Sequence, residues 1–168
     1  MDFTLYLQKF QAAARHINKK KLAKKQIEVA VGIYQQAVFL KLYKKQWANK
    51  TPDPVTSPSR IFFSVWITDS MIKEQKIFYN IHALKLRHLD GYAITSRDFA
   101  NNFRIKFKPY GHQWPNVSVQ FGPLTLMEGW VNAGIKNLNE EILILANQFL
   151  EIDHLIDNVL EIYKEHNE

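Results

Sequence analysis

Arg60-Ile61-Phe62-Phe63-Ser64-Val65-Trp66-Ile67-Thr68 and Lys76-Ile77-Phe78-Tyr79-Asn80-Ile81-His82-Ala83-Leu84-Lys85-Leu86-Arg87 are the two runs on which the fold turns. Both are rich in β-branched and aromatic residues, which suit a pleated surface. The seven mostly polar residues between them, Asp69 to Gln75, are long enough for a hairpin loop. The pair therefore predicts two neighbouring antiparallel strands in the middle of a sheet.

Downstream, His88-Leu89-Asp90-Gly91-Tyr92 predicts a turn, and Thr95 or Ser96 can cap a short helix over Arg97–Asn101. Phe103-Arg104-Ile105-Lys106-Phe107-Lys108 alternates apolar and cationic residues, the pattern of a half-exposed strand that Pro109 stops. Val117–Phe121 alternates again up to Gly122-Pro123, and a short helical segment is expected over 124–133. Asn137 and Glu140 have capping-box spacing. Ile142, Leu145, Phe149, Ile152, Ile156, Val159 and Tyr163 then recur at alternating three- and four-residue steps, which predicts one long helix. Leu143, Leu150, Leu155, Leu160 and Ile162 widen its apolar surface, so one stripe can cover the sheet while another meets a second copy.

Upstream, Asp2 to about Asn18 reads as an amphipathic helix, followed by five lysines in residues 19–25. Residues 26–47 carry two periods at once. Ile27, Val29, Val31 and Ile33, then Val38, Leu40 and Leu42, alternate like strands, whereas Ile27, Val31, Tyr34 and Val38 share a helical face. Gly32 disfavours a helix interior, so strands are expected. Residues 49–59, with Pro52, Pro54 and Pro58, form an exposed loop. The whole predicts a single α+β domain over 1–168. Its helix at 1–18 and helical part at 124–165, which includes the long C-terminal helix, pack on one antiparallel sheet of about 4–6 strands within 26–122.

Composition narrows the function classes. A chain of 168 residues with 46% hydrophobic and 23% charged residues has the make-up of a soluble globular domain with a sizeable core. Cysteine is absent, which excludes disulfides and thiolate metal sites and fits the cytoplasm. No run is long and apolar enough to span a membrane, and the N-terminus has neither the basic start nor the cleavage site of a signal peptide. Of the net charge of +6, residues 139–168 contribute −7 (eight acids against Lys164), which leaves +13 on residues 1–138. Either the basic part meets a polyanion, or the acidic tail answers it within the protein or across a dimer.

No glycine-rich phosphate loop, dinucleotide fingerprint or nucleophile elbow is present, and no cofactor is called for. Glu151 and His154 have di-iron spacing but lack the second pair, so no metal site is expected. His82, His88 and His112, with Asp90 or Asp98, contain the residue types of a small acid–base site, but at no diagnostic spacing.

The strongest signal is collective. In the strand from 76 to 87 the apolar parity shifts near His82, and one bulged residue would place Ile77, Tyr79, Ile81, Leu84 and Leu86 on one face. The other face then shows Asn80, His82, Lys85 and Arg87, joined by Trp66, Phe62, Arg104, Lys106 and Lys108, with Lys41, Tyr43 and Lys45 further along. With His112, the residues Asn80, His82, Lys85, Arg87, Arg104, Lys106 and Trp66 make up the candidate ligand site. A helix lying over this face would instead turn its aromatics into core. The function expected first is a non-catalytic binding or interaction domain that homodimerises through the C-terminal helix and holds an anionic or aromatic small molecule. A single-stranded nucleic-acid or polyanion binder comes second, and a small His/Asp enzyme third.

Overall fold

A computed structural model describes residues 1–50 and 53–166. Five strands, β1 (Glu28–Tyr34), β2 (Ala37–Tyr43), β3 (Arg60–Ile67), β4 (Lys76–Leu84) and β5 (Thr125–Asn132), form one antiparallel meander in the order β1-β2-β3-β4-β5. The two central runs are β3 and β4, paired with Phe63 opposite Ile81. Residues 26–47 form the β1–β2 hairpin. Its two-residue turn, Gln35-Gln36, holds Gln35 at a φ of 51°.

Among the described residues six α-helices accompany the sheet: α1 (Phe3–His16), α2 (Lys19–Lys25), α3 (Asp69–Glu74), α4 (Ser96–Phe107), α5 (Leu138–Phe149) and α6 (Asp153–Ile162). Asp2 caps α1 by accepting from the Leu5 amide at 3.0 Å, and Asn18 caps α2 from Lys21 at 3.1 Å. Helix α1 turns Tyr6, Phe10 and Ala13 inward onto β1 and β2. Helix α5 lies against α1 and on β3, α4 lies on β4 and β5, and α6 packs on α4. Their buried side chains join Val38, Leu40, Leu42, Phe63, Val65, Ile77, Tyr79 and Ile81 in one core.

Several local expectations are corrected. The 69–75 loop contains α3, capped by Thr68 and ended by Gln75 in the left-handed region. Residues 103–108 are not a strand. Thr95 starts α4 by accepting from Asp98, and Phe99, Phe103 and Phe107 continue its buried face at helical spacing as far as Lys108-Pro109. Ile105, which the alternation placed among the buried residues, is 72% exposed. Residues 124–133 are not helical either: Met127, Gly129 and Val131 pair with Ile81, Tyr79 and Ile77 in β5. Gly129 sits where Tyr79 lies against its Cα, and the Tyr79 hydroxyl donates to the Pro115 carbonyl at 2.6 Å. The stretch 117–121 contributes a single bridge, Ser118 to Glu128, at the edge of β5.

The register does shift at Ile81/His82, but β4 keeps its parity through buried Ala83 and the extra residue lies in β5. The C-terminal helical part packs on the sheet side as expected, with a tight turn at Leu150–Ile152 dividing α5 from α6. Asn137 stands at the N-cap of α5, but its side chain accepts from the Gly134 amide and not from the helix. The acidic tail answers the basic body within the chain. Lys21 meets Glu151, Lys25 meets Asp153, and buried Lys44 lies between Asp153 and Asp157. Asp157 also accepts from the Trp47 indole at 2.7 Å. Among the described residues no helix is long and apolar enough to cross a membrane.

Candidate functional site: the outer face of the sheet

Strand parity sends alternate side chains to opposite faces, and here the large helices all serve one face. Phe39, Phe62, Trp66, Phe78 and Trp130 point the other way and lie outside the core cluster. The register arranges this outer face in rows. Gly32, Phe39, Trp66, Phe78 and Trp130 are successive cross-strand partners, so aromatic rings stand side by side on four adjacent strands. The Trp66 and Phe78 centroids are 5.8 Å apart. Phe39 leans over Gly32, where an added Cβ would come within 3.1 Å of the ring. The four rings are half-buried, each keeping one part in water.

The next row is Ala30, Lys41, Ser64, Asn80 and Glu128, polar on every strand but β1. The Ser64 hydroxyl donates to Asn80 Oδ1 at 2.6 Å, and Asn80 Nδ2 reaches Glu128 at 3.3 Å and His82 Nε2 at 2.6 Å. With the amide donating, His82 Nε2 accepts and the neutral ring carries its proton on Nδ1. Burial, then the charges of Lys41 and Arg60, lower the His82 pKa, partly opposed by a hydrogen bond to the Leu124 backbone.

Phe62 and His82 begin a third row, stacked with centroids 5.4 Å apart. Lys41 Nζ lies 4.6 Å from the Phe39 centroid and 4.5 Å from that of Phe62, and the Arg60 guanidinium is 5.2 Å from Phe62. These groups close over Phe62, which is only 7% exposed although it is outside the core. At the far end of the face Lys76 Nζ lies 4.0 Å from the Trp130 ring. Neither Lys41 nor Arg60 has a carboxylate partner among the described residues. Burial, reinforced by Arg60, lowers the Lys41 ammonium to about 8, and burial lowers Arg60 as well. Two neighbouring cations, partly stripped of water and without a carboxylate partner among the described residues, have the chemistry to take up an anion.

Of the residues singled out from sequence, Asn80, His82 and Trp66 belong to this face. Lys85 and Arg87 do not: the chain leaves β4 at Lys85, whose φ of 48° swings it into a groove at the Arg60 end of the sheet. Arg104 is on α4, where it donates to the carbonyls of Phe121, Gly122, Thr125 and Leu126 and ties down that loop. Lys106 is on the same helix, and His112 lies exposed in the 3₁₀ turn after it. Phe39, Arg60, Lys76, Phe78 and Trp130 were missed. The parity of Arg60, Phe62, Ser64 and Trp66 against Lys76, Phe78, Asn80 and His82 contained the signal for all but Phe39 and Trp130.

Among the described residues, no group of three or more His, Asp or Glu side chains is placed to hold a metal. No hydrogen bond joins His82, His88 or His112 to Asp90 or Asp98 there; His82 is tied to Asn80, and Asn49 holds the His88 carbonyl and the Asp90 amide. Comparison with protein-family models, with curated proteins and with solved structures gives no match for this chain.

Proposed function

We propose that this chain is a non-catalytic binding domain that holds an anionic ligand with an aromatic ring on the outer face of its sheet. The observation that carries this is the unpaired Lys41–Arg60 pair next to a four-ring row. Rings bind a flat ligand by its face, and the cations take its charge. A second copy on this face would bring the same cations together, which disfavours self-pairing there.

The dimer through the C-terminal helices has weaker support. Leu150, Leu155 and Leu160, read as part of its contact stripe, are buried in the chain's own core, while Ile144 and Ile162 are exposed. Cysteine-free composition supports a cytoplasmic setting.

Titration calorimetry with an aromatic sulfonate dye and with a mononucleotide tests the reading. Saturable binding is expected, weakened at least about tenfold in Lys41→Met, the scale of one charge-assisted hydrogen bond. If folded protein takes up neither probe at millimolar concentration, the reading fails.

A further inference from the structure

Beyond the Arg60 end of the outer face the surface opens into a groove of about 1610 Å³. Among the described residues its walls carry Lys45, Lys50, Lys85, Arg87 and Lys164 against the single carboxylate of Asp90. Among the described residues only Lys45 of these cations has a salt-bridge partner, Glu28 at 3.7 Å. The groove and the face are joined through one side chain: Arg60 lies beside the Phe62 ring and donates to the carbonyl of Ser57, which lines the groove. Ser59, also in the lining, donates to the Lys85 carbonyl at 2.9 Å and fixes the start of the basic segment.

From these contacts we infer that the ligand of the outer face is a single-stranded nucleic acid whose backbone continues past Arg60 into this groove. The inference rests on the binding-domain reading and names its ligand class. Along β3 the outward side chains run from the half-buried Trp66 past Ser64 and Phe62, which are covered by Asn80, Lys41 and Arg60, to the Arg60 guanidinium, and the cations of the groove follow. Six residues of strand at ~3.3 Å each place about 20 Å between Trp66 and Arg60. A mononucleotide therefore covers one part of the path, and only an oligomer reaches both. Unstacked bases offer faces to the aromatic row, and a continuous phosphate backbone suits successive cations that outnumber the nearby carboxylates. A duplex hides its base faces and cannot use the row.

The test is fluorescence anisotropy with labelled oligothymidylates and oligouridylates, from a mononucleotide to about 12 nucleotides, at about 50 to 200 mM salt. Affinity is expected to rise with length and to exceed that for a matched duplex. The oligomer's salt slope should be about −0.7 per phosphate contacted. The double variant Lys85→Asn/Arg87→Gln alters two exposed residues, with asparagine chosen because it tolerates the left-handed backbone at that position. It should reduce the slope by about 1.4 and weaken the longer oligomer at least tenfold, leaving mononucleotide binding and circular dichroism unchanged. Preference for either sugar satisfies the inference.

Mononucleotide binding with no gain on lengthening, an unaltered slope in the groove variant, or equal affinity for duplex overturns the inference and leaves the binding-domain reading standing. Failure of every nucleotide probe overturns the inference alone if the aromatic sulfonate dye still binds, and overturns both readings if the dye fails as well.

Discussion

Replacing Lys41 with methionine should make the protein more stable while weakening ligand binding. The ammonium is held at about 8, from an ordinary 10.5, by burial and by Arg60. At about 1.4 kcal/mol per tenfold change in the proton equilibrium, that is about 3 kcal/mol against the charged form in the folded state. Partial exposure to water reduces this, and the Phe39 and Phe62 rings return about 0.5–1 kcal/mol each. About 1 kcal/mol remains as the cost of keeping an unpaired cation on the face. Methionine keeps most of the volume without the charge.

The sign follows from linkage. A lysine whose folded pKa lies below its unfolded value destabilises the fold fully at pH below about 8, and that cost disappears as pH rises towards 10.5. Urea denaturation at pH 7 should show Lys41→Met more stable by about 1 kcal/mol, or about 2–4 °C in Tm, with the advantage fading by pH ~10. A variant no more stable at pH 7, or one whose advantage persists unchanged at high pH, would refute the picture of a desolvated, unpaired charge.

Four further outcomes are expected. Anion binding on the face should return Lys41 towards its ordinary pKa, so calorimetry near pH 8 in buffers of different ionisation heat should detect proton uptake that Lys41→Met lacks. Gly129→Ala puts a methyl group into the Tyr79 side chain and within 2.9 Å of the Pro115 carbonyl, and should cost about 2–4 kcal/mol in urea denaturation by overpacking and loss of the Tyr79 hydrogen bond. Asp153→Ala leaves buried Lys44 with Asp157 alone and should cost about 3 kcal/mol or more in the same assay, with Asp153→Asn losing less. Arg104→Lys replaces a fork that serves four carbonyls with a point donor, and limited proteolysis should then cut residues 118–125 faster.

The central strands were legible because the register is written twice, once in Ile61, Phe63, Val65 and Ile67 and again in Ile77, Tyr79, Ile81 and Ala83. The β1–β2 hairpin was legible for the same reason, with Gly32 deciding against a helix. Phe103, Ile105 and Phe107 misled because a run of six residues fits both periods, and only the cap at Thr95 and the buried Phe99 extend the helical one. That one misassignment moved Arg104 and Lys106 onto the wrong face. Gly129, a poor helix residue, was the overlooked sign of β5, and reading that segment as helix hid Trp130. The openness of the outer face was not legible, because it depends on α1, α4 and α5 all choosing the same side of the sheet.

The chain's four tryptophans report separately on the two faces of the sheet. Trp47 and Trp114 are buried with the helices, while Trp66 and Trp130 stand in the outer row. In a titration with an oligothymidylate followed through the four indole N–H resonances, those of Trp66 and Trp130 should shift together with saturation while those of Trp47 and Trp114 stay in place. Shifts confined to Trp47 or Trp114, or none at saturating oligonucleotide, would contradict an open, ligand-holding sheet face.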